Sequence, residues 1–193
     1  MIPAVNDGKR HSVRIIGGSW RGRRIAVPDV PGLRPTPDRV RETLFNWLQF
    51  DLAQTRCLDL FAGTGVLGFE ALSRGAAAVV FVEQAEVAAR NLQTQIGVFE
   101  AGGQSRVMSF DVVRFLQSAP QLFDVIFVDP PFGQGLAPQV LTLLGAGPWL
   151  CVGGYAYVEA ERTLGEPLPP PGWTLTRSKY AGEVGYHLMR RGV

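Results

Sequence analysis

The side chains best suited to chemistry fall in two short stretches. One is FDVIFVDPPF, residues 123 to 132. An apolar run of strand character ends on Asp129, and Pro130, Pro131 and Phe132 follow at once. Prolines alone would serve to stop a strand, because they cannot donate to its ladder. That task needs neither an acid nor an aromatic ring. The prolines stiffen the backbone, so the Pro130 carbonyl takes a defined direction beside the Asp129 carboxylate. Two acceptors so placed can take both hydrogens of one amino group, and Phe132 can lie flat against a planar ring. An exocyclic amine on a base is a poor nucleophile, since its lone pair is delocalised into the ring. Acceptors that turn its hydrogens out of plane localise and aim that pair, so the displacement relies on position rather than on a strong base.

The second stretch is DLFAGTG, residues 59 to 65. Gly63 and Gly65 permit a tight turn and a close approach to a ligand, and the helix start beyond them offers free N–H groups. GTGVLG also matches a dinucleotide-binding pattern through Gly63, Gly65 and Gly68, a weak signal alone. Asp59 stands four residues before Gly63. A carboxylate there disfavours a pyrophosphate and suits a cationic amino-acid moiety. S-adenosylmethionine carries an ammonium and a sulfonium and no phosphate. Glu83, 24 residues after Asp59, ends the next strand-like run, where an acid accepts hydrogen bonds from ribose hydroxyls. Asp111 follows the third such run and can reach an adenine amino group. The competing role for both acids is at helix starts, as caps or first-turn charges; their strand-end position favours the ligand. Phe61, Ala62 and Thr64 in the turn, with Gln84 and Val112 beside the acids, complete the expected cofactor site. No metal site is expected: Cys57, Cys151, His11 and His187 show no ligand spacing.

These residues need a frame that brings strand ends together. From Arg56 onward strands and helices alternate. Strands are expected at 57–61, 77–83, 105–110 and 124–129, with helices at 65–75, 85–99, 112–119 and 136–145, the last broken or delayed by Pro138. Strands at 153–161, 173–180 and 184–190 follow. Alternation implies a parallel sheet covered on both faces. Only an Ala-Gly-Glu turn joins the last two strands, so they must pair antiparallel. Upstream, VRIIGGSWRGRRIAV, residues 13 to 27, reads as a hairpin. After a proline-rich loop, Thr36 and Pro37 look like the cap and first position of a helix whose apolar face holds Val40, Leu44, Trp47 and Leu48. Two units follow: a basic N-terminal extension, residues 1–37, and an α/β domain, residues 38–193.

The chain has 193 residues and a net charge of +2, unevenly spread. Residues 9 to 41 hold nine Lys/Arg against two acids, on a body that is otherwise mildly acidic. Such a segment suits a polyanion. Arg21, Arg23 and Arg24 surround Trp20, which either stacks on an unpaired base or packs on the domain. Arg34 and Thr36 can face a target nucleotide, and Arg39 and Arg41 can contact phosphates. The N-terminal residues lack an apolar signal core, and no long apolar run occurs, so a cytoplasmic, soluble protein without a membrane partner is expected.

DPPF resembles the [N/D]PP[Y/F] motif of S-adenosylmethionine-dependent methyltransferases acting on amino nitrogens, and DLFAGTG resembles their cofactor-binding motif. The run IIGGSWRGRRIAVPDVPGLRPTPDRVRETLFNWL, followed by CLDLFAGTGVLGFEALSRGA, is similar to the RsmD family of bacterial guanine-N2 methyltransferases of 16S rRNA. The resemblance covers about Val13 to Arg190. It implies a Rossmann-like class I methyltransferase fold, a seven-stranded, mostly parallel sheet with an antiparallel last strand, plus an RNA-binding N-terminal β-hairpin. It implies further that Asp59, Gly63, Gly65, Glu83 and Asp111 bind S-adenosylmethionine and that Asp129, Pro130 and Phe132 hold the guanine. The implied partner is 16S rRNA of the small ribosomal subunit, with guanine 966 as the family target, and the enzyme is expected to be a monomer.

Other readings compete with this one. The same amine chemistry serves adenine N6 of DNA or a protein glutamine, although no separate target-recognition domain fits in this length. A nicotinamide-dependent oxidoreductase would use GTGVLG but leaves DPPF and the basic hairpin without a purpose. A non-catalytic RNA-binding module does not need an intact cofactor turn.

Overall fold

Apolar runs of four to six residues, bounded by glycine and proline, build the centre of the molecule. The computed structural model of the chain describes residues 12–30 and 36–192. Its elements in chain order are β1 (Ser12–Arg14), β2 (Arg24–Ala26), α1 (Asp38–Trp47), β3 (Arg56–Asp59), α2 (Val66–Ser73), β4 (Ala78–Val82), α3 (Glu86–Val98), β5 (Ser105–Met108), α4 (Val112–Leu116), β6 (Phe123–Val128), α5 (Leu136–Ala146), β7 (Leu150–Glu161), β8 (Trp173–Ala181) and β9 (Val184–Arg191). Each expected strand and helix is present, mostly trimmed by a few residues. The helix expected to be broken or delayed by Pro138 starts before it and runs through it, because Pro138 sits in the first turn, where its missing N–H has no intrahelical partner.

The main sheet has seven strands in the order β5-β4-β3-β6-β7-β9-β8. Pairs from β5 to β7 are parallel, and β9 runs antiparallel between β7 and β8. The chain steps outward from β3 through β4 to β5, then returns to the other side of β3 as β6. At such a reversal the two following loops diverge and leave a crevice at the strand ends. Asp59 pairs in register with Phe127, so Asp129 emerges two residues further along the neighbouring strand.

Period-2 alternation sorts side chains to the two faces. Cys57, Val125, Phe127 and Tyr157 join α1, α2 and the hairpin in one core, while Leu58, Ile126, Val128 and Val158 join α4 and α5 in the other. Asp129 and Glu159 continue the first set. The hairpin, β1 with β2, shares that core through Val13, Ile15 and Ile25. Its turn rests on the end of α2: Ser19 N donates to Ser73 O at 2.7 Å, and Trp20 N to Ser73 Oγ at 2.9 Å. A Cβ on Gly18, at φ +73°, would lie 1.8 Å from Ser73 O, so backbone meets backbone there and only glycine fits.

A buried acid ties these parts together. Glu70 of α2 accepts from Ile16 N at 2.9 Å, from Arg74 Nε at 2.7 Å and from Arg41 of α1 at 3.4 Å. Arg41 also donates to Asp38, Arg14 O and Thr36 O. The expectation that Arg41 meets phosphate is therefore wrong: it is wholly buried, because its five N–H donors serve the hairpin, α1 and Glu70. Removing one partner of a buried ion pair leaves the other charge uncompensated, at about 3–5 kcal/mol. Glu70→Ala should lower the unfolding free energy by about that amount. It should also open the 16–24 segment to protease before the sheet unfolds, as urea titration and limited proteolysis would show.

Candidate active site

The turn after β3 builds the first half of the site. Gly63 and Gly65 take φ values of +53° and +79°, where side chains are strained. A Cβ on Gly65 would also approach Leu92 to 2.4 Å and Phe69 to 2.7 Å. Across the sheet edge, the Glu83 carboxylate accepts from Gly63 N at 2.8 Å and from Ala85 N at 2.7 Å, fastening the turn to the end of β4. Asp111 caps α4, accepting from Arg114 N at 3.0 Å. Both acids thus perform the structural role that their positions allowed, while remaining half-buried and exposed, respectively, at the ends of β4 and β5. Ala62 and Thr64 are buried in the turn, Phe61 is half-buried, Gln84 is exposed, and Val112 is buried at the start of α4.

Asp59 is buried and accepts one bond, from Gly68 N at 3.2 Å. Among the described residues it has no ion-pair partner. Burial pushes its carboxyl up to about 8; the Gly68 N–H opposes the shift, and the Asp129 and Glu83 charges add to it. An uncompensated acid facing a crevice is a place prepared for a cation. The acceptors lining the three strand ends are acidic, so the donor set fits a cationic ligand with hydroxyl groups and disfavours a phosphate.

The second half lies across the switch point. Asp129 is half-buried, with Thr36 Oγ1 donating to its Oδ2 at 3.0 Å. Burial raises its carboxyl to about 6, and the Thr36 hydroxyl restrains the rise. Pro130 is buried, and among the described residues no donor lies on its carbonyl. Phe132 is 44% exposed, so its ring is accessible from solvent beside the proline pair. Gly133 N donates to the Glu161 carboxylate, which pins the far end of this loop to β7.

Thr36 does not cap α1 as expected. Pro37 holds the cap position without a side-chain bond, because the Thr36 hydroxyl turns inward to a partner 93 residues away. Beneath it sits a pair that the linear reading passed over: Glu159 is buried, and Tyr157 Oη donates to its Oε1 at 2.7 Å. The signal was available in YVEAE, where an acid occupies the alternation position of a core-facing tyrosine.

The structure separates the expected RNA-facing residues. Trp20 packs on the domain, its ring centroid 4.8 Å from that of Phe99, and remains half-buried. Arg23 lies 4.2 Å over the same ring and donates to Val98 O at 2.7 Å. Arg21, Arg23, Arg24 and Arg39 are exposed, as is Arg14. Arg34 lies outside the described residues. A cleft of about 360 Å³ beside Thr36 is lined by Ser12, Val13, Arg14, Arg24, Pro37 and Asp38. Among the described residues no His/Cys/Asp/Glu group is arranged to hold a metal, and no helix is long and apolar enough to cross a membrane.

Comparison with known proteins gives consistent matches. The family model described as Conserved hypothetical protein 95 matches residues 13–190. Ribosomal RNA small subunit methyltransferase D of Escherichia coli strain K12 is 46% identical over 186 residues, covering 96% of this chain and 93% of its own. The protein of that name from Haemophilus influenzae is also 46% identical, over 92% of this chain and 93% of its own. The solved structure of yhhF from Escherichia coli superposes with a TM-score of 0.88 at 42% identity, covering 94% of this chain and 99% of that one.

The buried acid has a measurable cost. Native Asp59 stays protonated up to about pH 8, whereas in the unfolded chain it ionises near its ordinary value. Between those values, rising pH favours the unfolded state by up to about 1.4 kcal/mol per unit. Asp59→Asn keeps the acceptor for Gly68 N and removes this cost. Its stability gain over the parent should therefore grow from about pH 4 to about pH 8 and level off above, as urea unfolding at several pH values would show.

Proposed function

The chain belongs to the RsmD family, described as Conserved hypothetical protein 95, and from that membership we propose that it methylates the exocyclic N2 of one guanine in 16S rRNA. The resemblance names that target as guanine 966. The observation that carries the reading is the facing of two halves across one switch point: an acid-lined glycine turn, and an Asp129–Pro130 acceptor pair with the exposed Phe132 ring.

S-adenosylmethionine fits the first half and, when bound, supplies a methyl group on an electrophilic sulfonium. Asp59 would give up its proton to water as the ammonium binds and then pair with it, Glu83 would accept from its ribose, and Asp111 would meet the adenine amino group beside Gln84 and Val112. Gly63 and Gly65 leave room for its close approach. Asp129 and the Pro130 carbonyl accept the two hydrogens of the guanine amine, and Phe132 stacks on the base. Because Thr36 occupies Oδ2, Asp129 offers Oδ1 to the amine. The bound cofactor would supply the methyl that this nitrogen takes, and the Asp129 carboxylate would accept the proton that the amine gives up. A carboxyl raised to about 6 can accept that proton and return it to water near neutrality. Burial supplies this affinity without a strong base.

The target base must leave its stack to reach the crevice, which costs least in an RNA loop. Arg14, Arg21, Arg24 and Arg39 present an exposed basic face for the flanking backbone. The polar cleft beside Thr36 adjoins this face and the catalytic acid.

The deciding assay follows methyl transfer from labelled S-adenosylmethionine to small ribosomal subunits lacking the modification, with naked rRNA, DNA and total protein in parallel. Label on guanine N2 at one rRNA position is expected; label confined to DNA adenine or to protein would refute the substrate. Asp129→Ala should lower transfer by about 100-fold or more while cofactor affinity stays within about threefold, because its contact is made with the amine. Replacing Arg14, Arg21 and Arg24 together by alanine should reduce the slope of log affinity for RNA against log salt by about 2–3, since each lost phosphate contact removes about one unit.

A further inference from the structure

We propose that Arg177 and Lys179, on the edge strand β8, form a second contact for the RNA backbone, so that the strand carrying the target base is held on both sides of Asp129. The inference deepens the methyltransferase reading and rests on it.

A change of register in β8 turns these side chains toward the crevice. Side chains two apart on a strand share a face. Trp173 and Leu175 pack against the second core, where Met189 of β9 stands opposite Leu175. In unbroken alternation Arg177 and Lys179 would follow them. The pairing with β9 instead shifts between Leu175 and Arg177, leaving Thr176 as an extra residue, and the Thr176 hydroxyl donates to Leu188 O at 2.9 Å. Beyond this bulge Arg177 stands opposite Leu188 and Lys179 opposite Tyr186, both members of the first core. Two cations are thus brought to the face that carries the hairpin, α1 and Asp129. Bulges beside active sites re-aim side chains in this way.

Register also fixes where the two cations lie. Val128, the residue before Asp129, pairs with Val158, and Glu159 pairs with Tyr186. Asp129, Glu159, Tyr186 and Lys179 therefore stand in one row across the sheet. Three strand spacings put the Lys179 backbone roughly 14 Å from that of Asp129, and Arg177 is about 7 Å along β8 from Lys179. The hairpin lies on the other side of β6. It rests on Ser73 of α2 and on Asn91 of α3, whose amide donates to Ala26 O at 3.0 Å, and these helices pack on β3, β4 and β5. An RNA strand that touches both basic surfaces spans the crevice at Asp129.

Both side chains are free to meet phosphate. They are exposed, and among the described residues neither pairs with an acid; Arg177 donates to the adjacent Thr176 O at 3.1 Å. Residues 173–191 hold four Lys/Arg against one acid, Glu183. The other two cations, Arg190 and Arg191, are engaged at the far end of the strands by Gly153 O and Leu150 O. Charges on an edge strand also discourage pairing with another chain. That role is met on either face, so it does not account for the direction in which these two point.

Arg177→Gln combined with Lys179→Gln should reduce the slope of log affinity for 16S rRNA against log salt by about 1–2, as two phosphate contacts are lost. KM for small subunits should rise by about tenfold, with kcat and S-adenosylmethionine affinity within about threefold of the parent. Arg106→Gln removes an exposed cation from β5, the opposite edge strand, and should leave the slope unchanged. A double variant with the parental slope would overturn the proposal. A second readout needs no substitution, because Lys179 is one of two lysines in the chain, the other being Lys9. Acetylation of Lys179 by an amine-reactive ester, followed by mass spectrometry, should slow by about fivefold or more when 16S rRNA saturates the protein. Undiminished acetylation in that complex would equally refute the contact. The surface and the assigned reaction fail separately. Methyl transfer to rRNA with Lys179 unprotected and the slope unchanged ends this proposal and leaves the reaction standing. A protected Lys179 and a lowered slope without methyl transfer end the reaction and leave the surface. A parent with no affinity for rRNA would overturn both.

Discussion

One buried carboxylate organises the first face of this molecule. Glu70, on a helix packed against the sheet, holds the hairpin backbone at Ile16, the guanidinium of Arg41 and that of Arg74. A charge removed from water is stable only when every partner is present. The three segments meeting at Glu70 are therefore interdependent, although they are distant in sequence. Arg41 carries the constraint onward to the Thr36 carbonyl, and the Thr36 hydroxyl reaches Asp129. The acid at the centre of the proposed chemistry is thus linked to a network that begins at Glu70 on the second helix.

The crevice gathers acids where a stability-optimised protein would separate them. Asp59 and Asp129 emerge from adjacent parallel strands, Glu83 ends the next, and Glu159 lies beneath. Burial and mutual repulsion raise several of these carboxyls above their ordinary values. Such shifts weaken the folded state near neutral pH, and they are the property that a cation-binding and proton-accepting site requires. The environments divide the work. Asp59 has no cationic partner within the described residues, Asp129 keeps one oxygen uncommitted, and Glu83 is fastened by the backbone of the glycine turn.

The basic segment is not a detached arm. Val13, Ile15 and Ile25 lie in the same core as Leu44 and Phe127, and Trp20 with Arg23 covers Phe99. Trp20 and Arg23 thereby anchor the hairpin, while Arg14, Arg21, Arg23 and Arg24 all reach the surface. A docked hairpin presents its remaining charges in fixed relation to the crevice. That lowers the ordering cost of binding a flexible polyanion.

Local patterns already settle the strand–helix alternation, the cofactor turn and the position of Asp129 at a strand end. Hydrophobic period, glycine at left-handed turns and proline after a strand depend on neighbouring residues alone. The resemblance carried by DPPF and DLFAGTG added the family, which residues 13–190 bear out. What the chain order conceals is which side chains meet across long separations. Arg41 resembles any helix-surface arginine until the fold sets Glu70 beside it, and Thr36 resembles a helix cap until β6 brings Asp129 within reach. Trp20 fits either an RNA platform or a packed ring until Phe99 lies under it. Glu159 is one acid in an unremarked strand until pairing order and alternation set it on the same face as Asp129, with no cation paired to it among the described residues. Hydrogen bonds and ion pairs depend on distances of a few ångströms, and only tertiary packing determines those distances for residues far apart in the chain.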